Sequence, residues 1–338
     1  MLISGVVPQF QSYLHLQCHL KHINSYTFKK VLLTRQIPLL SLCAAFSFVI
    51  MMFNIPLGPS SVHAVGAVFI AVLLGPWAAC FAVSVALAIQ ALVFGDGGIL
   101  AIGANCFNMA FIMPFAGYYL YRLIAGRSEM LSKRSLAGIF AGSYIGINLA
   151  ALFAAIEFGI QPLLFTTAGG LPEYGFYPLS VSIPVMMFEH LIIAGPIEAI
   201  ITVSAVAYLA RYSPHILNIG MNNGFGTNSN KPLLSRYKAV IIGLVVMVAV
   251  TPLGLLATGT AWGEWGTDEI KNILGYVPAG LKKLSGLWKS IMPDYSIQWF
   301  SGKFGPVFGY LASALTGVLL IVVILLVSSR LMVKKNDK

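Results

Sequence analysis

The sequence predicts an all-α, polytopic transmembrane helix bundle of about eight or nine spans. Three observations carry this. Hydrophobic residues make up 58% of the 338-residue chain and charged residues only 9%, against about a quarter in soluble domains. So few charges cannot cover a water-facing surface, so much of the surface must face lipid. Apolar stretches of spanning length recur along the chain, with Lys and Arg clustered in short loops between them. That clustering makes the net charge of +10 a topology signal rather than a nucleic-acid footprint, so lipid is an expected partner and nucleic acid is not.

The elements follow in order. Residues 1–34 form an atypical N-terminal segment, in which His15, His19, Lys21 and His22 make a poor first span and a poor signal peptide. Residues 37–53 are the first clear span. The stretch 62–94 is too long for one span, and Gly75-Pro76 is its natural break. Further spans are read at 99–121, 135–156 and 187–210, with Arg122, Lys133, Arg134 and Arg211 at their ends. Residues 239–257 and 305–329 close the chain. Placing the basic loops 21–35, 122–134, 211–238 and 330–338 in the cytoplasm requires three crossings between 62 and 121. It also makes the chain a multi-pass protein of the cell inner (cytoplasmic) membrane.

Composition divides the chain. A transmembrane unit covers 35–211. An Asn/Gly/Ser-rich cytoplasmic linker covers 212–236. A two-span accessory hairpin covers 237–338, and its extracytoplasmic loop carries Trp262-Gly-Glu-Trp265 and Leu281-Lys-Lys-Leu284, a pattern for a short amphipathic helix at the interface. In the span 135–156, Gly138, Gly142, Gly146, Ala150 and Ala154 line one smooth helix face, suited to close packing within the chain or against a partner subunit.

Ionisable groups at membrane depth are costly and are therefore functional candidates. They are His63, Asp96, Glu157, Glu189, His190 and Glu198. His63 follows Gly58-Pro-Ser-Ser61 at the outer start of a helix. It is either an interfacial polar cap or a neutral imidazole ligand of the kind that suits nickel, cobalt, copper and zinc. Asp96 lies in Phe94-Gly-Asp-Gly-Gly98, with Asn105 and Asn108 following. Tight-turn chemistry and a metal role both fit these residues. His190 and Glu198 share a helix face and either satisfy each other or orient a ligand from behind it. Cys18, Cys43, Cys80 and Cys106 read as small buried hydrophobes. The sequence has no phosphate-binding loop, no His-Glu-x-x-His motif and no Gly-x-Ser-x-Gly elbow. An enzyme is therefore not expected, and any ATP-driven step needs a separate subunit.

Four ordered stretches carry a resemblance. They are Phe53-Asn-Ile-Pro-Leu-Gly-Pro-Ser-Ser-Val-His63-Ala-Val-Gly66, Leu74-Gly-Pro-Trp-Ala78, Gln90-Ala-Leu-Val-Phe-Gly-Asp-Gly-Gly98 and Gly103-Ala-Asn-Cys-Phe-Asn-Met109. With His190-Leu-Ile-Ile-Ala-Gly-Pro-Ile-Glu198, they resemble the CbiM/NikM family, the membrane substrate-binding components of energy-coupling-factor transporters for cobalt and nickel. The 237–333 hairpin resembles the small two-span accessory component, here fused. The resemblance implies capture of Co²⁺ or Ni²⁺ from outside as a transported substrate, with no enzyme cofactor. It also implies a transmembrane coupling subunit and two ATPase subunits as partners, and a link to cobalamin biosynthesis. In the family, the metal is held by the N-terminal amine, a second-residue His and a His after the first span. These map onto Met1, a position held here by Leu2, and His63. The missing imidazole at Leu2 implies a start lost through a gene-model or frame error, or a site rebuilt or absent, and weak or no metal binding by the chain as written. A substrate component for an organic vitamin, which would need a larger aromatic pocket, and an intramembrane enzyme using Asp96, Glu189 and His190 are the alternatives.

Overall fold

The structure is a computed structural model that describes residues 37–57, 60–214, 216–217, 235, 237–257, 260–297 and 302–336. Met1, the segment 1–34 and most of the linker 212–236 lie outside the described residues. The regular secondary structure among the described residues is helical apart from two short strands.

Helix α1 (Ile37–Met51) sits at the centre and is buried along nearly its whole length. Its apolar side chains run all round the cylinder, which is the signature of a helix with neighbours on every side. A hairpin of β1 (Ile55–Leu57) and β2 (Ser60–Val62) follows, antiparallel, with Ile55 opposite Val62 and Pro56 opposite Ser61. The sequence reading contained no strands here. Next come α2 (Ala67–Leu74) and α3 (Pro76–Ile89), parted at Gly75-Pro76 as expected. Gly75 takes φ +89°, a conformation only glycine enters freely, and Pro76 starts the new helix where its missing N–H costs nothing.

Three helices contain a π segment. Helix α3 continues through Gln90–Phe94. The short α4 (Ile102–Asn105) runs through Cys106–Ile112 into α5 (Met113–Ala125). After α6 (Lys133–Leu164), α7 (Leu179–Glu189) passes through His190–Ala194 into α8 (Gly195–Tyr212). Two of the π segments immediately precede a first-turn proline, Pro114 and Pro196. A proline inside a continuous helix crowds the carbonyl one turn back, and widening that turn relieves the crowding.

Five helices among the described residues are long and apolar enough to cross a membrane: Pro76–Phe94, Lys133–Leu164, Leu179–Tyr212, Lys238–Leu256 and Gly305–Ser328. The protein is a multi-pass membrane protein, but the expected eight or nine spans are not all matched by such helices. Helix α1 has 15 residues and α2 only 8. At ~1.5 Å per residue, α2 is roughly 12 Å long, well short of a ~30 Å hydrocarbon core. The stretch expected at 99–121 carries Asn105 and Asn108 on its helix, which lowers its hydropathy. The stretch expected at 187–210 is the end of a continuous 34-residue helix.

The small-residue face of α6 packs within the chain. A Cβ on Gly146 would lie 2.8 Å from the Met113 carbonyl oxygen, one on Gly138 would lie 3.0 Å from that of Tyr121, and one on Gly142 would strike that of Gly117. Helices α5 and α6 thus approach backbone to backbone, which the absence of side chains alone permits.

The C-terminal hairpin consists of α9 (Lys238–Val250), a 3₁₀ turn Thr251–Leu256, an outer loop with α10 (Thr267–Leu274) and α11 (Ala279–Leu284), and α12 (Gly305–Asn336). Helices α9 and α12 both pack on α1. The Tyr310 hydroxyl donates to Met52 O at 2.7 Å. Trp262 and Trp265, expected at the lipid interface, instead interlock with Phe158, Phe176 and Tyr177, at ring separations of 5.2 to 6.1 Å. The outer loop is therefore docked on the ends of α6 and α7.

Candidate metal centre

His63 stands directly after β2, half-buried, in the four-residue link to α2. Its Nδ1 lies 3.3 Å from the Ala64 carbonyl oxygen. In the tautomer that donates this bond, Nε2 keeps its lone pair for a metal.

Glu198 holds this link in place. It is fully buried in the first turn of α8. Its carboxyl accepts the Val65 N–H at 2.8 Å and the Gly66 N–H at 3.1 Å, with the Thr202 hydroxyl at 3.5 Å. Gly66 takes φ +72°, so the chain turns sharply into α2 and presents both N–H groups to the one carboxyl. His190 finds a different partner, with Nδ1 2.8 Å from Met186 O, and lies within electrostatic reach of His63. The reading in which His190 and Glu198 satisfy each other therefore gives way to one in which Glu198 serves the His63 link. Glu189 is buried beside Ser60 of β2.

A small cavity opens under His63, walled by Met51, His63, Gln90, Asp96, Asn105 and Glu264. Its enclosed centre admits roughly one water-sized particle. A bound vitamin would need at least several hundred Å³. Asp96 accepts hydrogen bonds on Oδ2 from Gln90 Nε2 at 3.0 Å and from the Tyr295 hydroxyl, and the same Gln90 amide donates to the Tyr295 oxygen at 3.0 Å. Gly95, Gly97 and Gly98 all have positive φ, so the Gly-Asp-Gly-Gly stretch is a true tight turn, and its aspartate also faces the cavity. Asn105 Nδ2 is 3.5 Å from Gly97 O and braces that turn. Asn108 does not line the cavity; it donates to Glu157 at 2.8 Å.

The accessory loop supplies the rest of the wall. Glu264 is reached by solvent, yet its carboxyl is pushed above the usual carboxylate range, first by the protein around it and then by the Asp96 charge. Asp294 is raised by burial and by Asp96 and Glu269. Asp96 and Glu264 are the carboxyl groups of the wall, and a cation is favoured where they are ionised. Among the described residues no three His, Cys, Asp or Glu side chains come close enough together to hold a metal ion. His63 and the acidic wall therefore do not form a complete coordination sphere by themselves.

Residues 20–216 match the family model described as "Cobalt uptake substrate-specific transmembrane region", CbiM, and residues 236–334 match the PDGLE domain. The chain belongs to the CbiM family. The fused nickel transport protein NikMN of Rhodobacter capsulatus is 43% identical over 304 residues, covering 85% of this chain and 84% of that protein. The probable fused nickel transport protein LarMN of Lactiplantibacillus plantarum is 42% identical over 297 residues, covering 86% of this chain and 84% of the relative. A crystal structure of a truncated transition metal transporter superposes with a TM-score of 0.53 at 48% identity, covering 60% of this chain and 94% of that one. Membership in CbiM makes this a transport protein rather than an enzyme.

Sequence reasoning missed four features of this candidate site in the CbiM chain. Gln90 is uncharged, and only its place in a π segment beside Asp96 marks it. Glu264 and Tyr295 lie some 170 and 200 residues beyond Asp96 along the chain, in a loop read as interfacial. The link from Glu198 to the His63 backbone is a tertiary contact with no sequence spacing of its own.

Proposed function

We propose that this chain captures Co²⁺ or Ni²⁺ at the outer face of the cytoplasmic membrane, as the substrate-specific component of an ATP-driven energy-coupling-factor importer. A transmembrane coupling subunit and two ATPase subunits supply the driving force, since the chain has no phosphate-binding loop of its own. The observation that carries the reading is the one-water-sized, acid-rimmed cavity beneath the half-buried His63 imidazole, in a chain related along most of its length to fused nickel transport proteins.

The chemistry follows from the parts. The carboxyl groups of the wall attract a divalent cation in their ionised form. The ion sheds part of its hydration shell and takes a neutral imidazole nitrogen, a ligand type suited to both metals. Glu198 fixes the link that carries that imidazole, and His190 stands beside it. Asp96, Asn105 and the Gln90 amide shape the wall behind the ion and restrict the space to a nearly bare metal.

His63→Ala tests this. Equilibrium dialysis of the purified full-length protein against Co²⁺ and Ni²⁺ should show binding weakened by more than about a hundredfold, since loss of a ligand costs more than the roughly tenfold to hundredfold typical of a supporting group. A companion version with residues 1–34 replaced by a Met-His-Ile start should bind more tightly and show the same dependence on His63. Equal affinity with and without His63 in both versions would overturn the assignment.

A further inference from the structure

The Phe94-Gly-Asp-Gly-Gly98 turn is a landing pad for the accessory loop. The turn ends a π segment, so the carbonyls just before it have no helical partner. Two groups from the far end of the chain serve them: Trp288 Nε1 donates to Leu92 O and Met292 N to Val93 O, both at 2.8 Å. Ser290 packs where Gly95 has no side chain, and Glu264 approaches Gly97. The same loop also reaches the other wall of the cavity. Ser61 N donates to Thr260 O at 3.2 Å, and Ser61 and Ala261 form a parallel bridge beside β2, two residues from His63.

Tyr295 is the deepest of these contacts. Asp294 and Tyr295 both sit at positive φ, 52° and 58°, a conformation unfavourable for non-glycine residues that persists where the surroundings impose it. That backbone turns the Tyr295 ring inward, 4.9 Å from Phe94, 5.4 Å from Tyr310 and 6.3 Å from Phe48. Ring packing alone would be served by phenylalanine. The hydroxyl does something more: with the buried Gln90 amide it closes a three-membered network on Asp96 Oδ2 and takes no part in Asp96 Oδ1.

We propose that Tyr295 is a positioning residue of the metal pocket, its hydroxyl orienting the Asp96 carboxylate so that the fused hairpin sets the charge and shape of the site in the transmembrane unit. This rests on the metal-capture reading above. Supporting groups of this kind typically change metal affinity by about ten to a hundredfold, and groups acting through one another are non-additive.

The experiment is a double-mutant cycle on the full-length protein with Tyr295→Phe, Asp96→Asn and the pair, reading Co²⁺ affinity and the visible absorption bands of bound Co²⁺. Tyr295→Phe keeps the ring and removes only the hydroxyl. The expected result is affinity about tenfold weaker and altered Co²⁺ bands for Tyr295→Phe, with no further loss when Asp96 is already Asn. Affinity within about twofold of the parent, or an equal loss in the Asp96→Asn background, would overturn the positioning role and leave metal capture standing. A parent protein that binds no Co²⁺ either as written or with residues 1–34 replaced by a Met-His-Ile start would overturn metal capture itself and the positioning role with it.

Discussion

Replacing Glu198 perturbs the proposed site without touching any atom that would meet the metal. Its carboxyl is the acceptor for two backbone N–H groups, Val65 at 2.8 Å and Gly66 at 3.1 Å, in a place with no solvent access to the side chain. Glu198→Ala leaves both donors buried and unpaired. Each orphaned group costs about 1–3 kcal/mol, so the folded state should lose about 2–6 kcal/mol, a large share of the ~5–15 kcal/mol typical of folded domains. Glu198→Gln keeps the volume and one acceptor oxygen but sets an amide against the second donor, for a loss of about 1–3 kcal/mol. Thermal unfolding in detergent, followed by tryptophan fluorescence, should order the three proteins as parent, Gln, Ala. Because the bonded amides belong to the link that carries His63, Co²⁺ affinity should follow the same order, falling by at least about tenfold in the folded Gln variant. If Gln is destabilised yet binds Co²⁺ like the parent, Glu198 braces the fold only. If Ala melts with the parent, the buried bonds are not what holds the link.

Two further outcomes follow. Gly146→Leu forces a side chain into the Met113 carbonyl, 2.8 Å from where its Cβ would sit, and overpacking of this kind typically costs about 1–3 kcal/mol or more; the variant should lose its sharp size-exclusion peak, and a normal peak with unchanged melting would show that α5 and α6 do not meet there. Glu264, raised above the ordinary carboxylate range by its surroundings and by Asp96, keeps its proton in the folded protein at a pH where the unfolded chain has lost it. Its contribution to stability is therefore complete below the ordinary glutamate value and declines as pH rises above it. Melting temperature should fall with pH from about 5 upward, Glu264→Gln should flatten that slope, and metal binding, which favours the ionised rim, should release protons. A slope identical in parent and Glu264→Gln assigns the dependence to other groups.

Much of the fold was legible because its signals are local. Lipid-facing composition, the Gly75-Pro76 break and the glycine face of α6 each come from short-range chemistry, and the structure realises each of them. The span count was not, because hydropathy cannot separate a crossing from a short buried piece. Helix α2 is as apolar as any span yet only 8 residues long, while the continuous helix through Ile102–Ala125 is interrupted in hydropathy by Asn105 and Asn108. The π segments were also invisible, since nothing in a 3.6-residue period announces a widened turn. A proline that follows an unbroken apolar run, as Pro114 and Pro196 do, is the clue that remains.

Site legibility divides along the same line, and the division bears on what the fused hairpin does. His63, Asp96, Asn105, His190 and Glu198 could be named because ionisable and amide groups inside apolar stretches are few. Their alternatives stayed open because each lacked its partner. For Asp96, turn chemistry and a place in the metal pocket looked like rivals. The structure shows the turn and leaves room for both: the three glycines bend the backbone, Asp96 lines the cavity, and the same bend exposes the carbonyls that Trp288 and Met292 cap. A turn built only to reverse the chain would satisfy its own backbone. This one leaves bonds open for a loop encoded some 200 residues later, and that loop also touches the strand leading to His63. Both walls of the cavity thus depend on the hairpin's being docked, so the coupling between Tyr295 and Asp96 is where the dependence of the transmembrane unit on its fused partner can be measured.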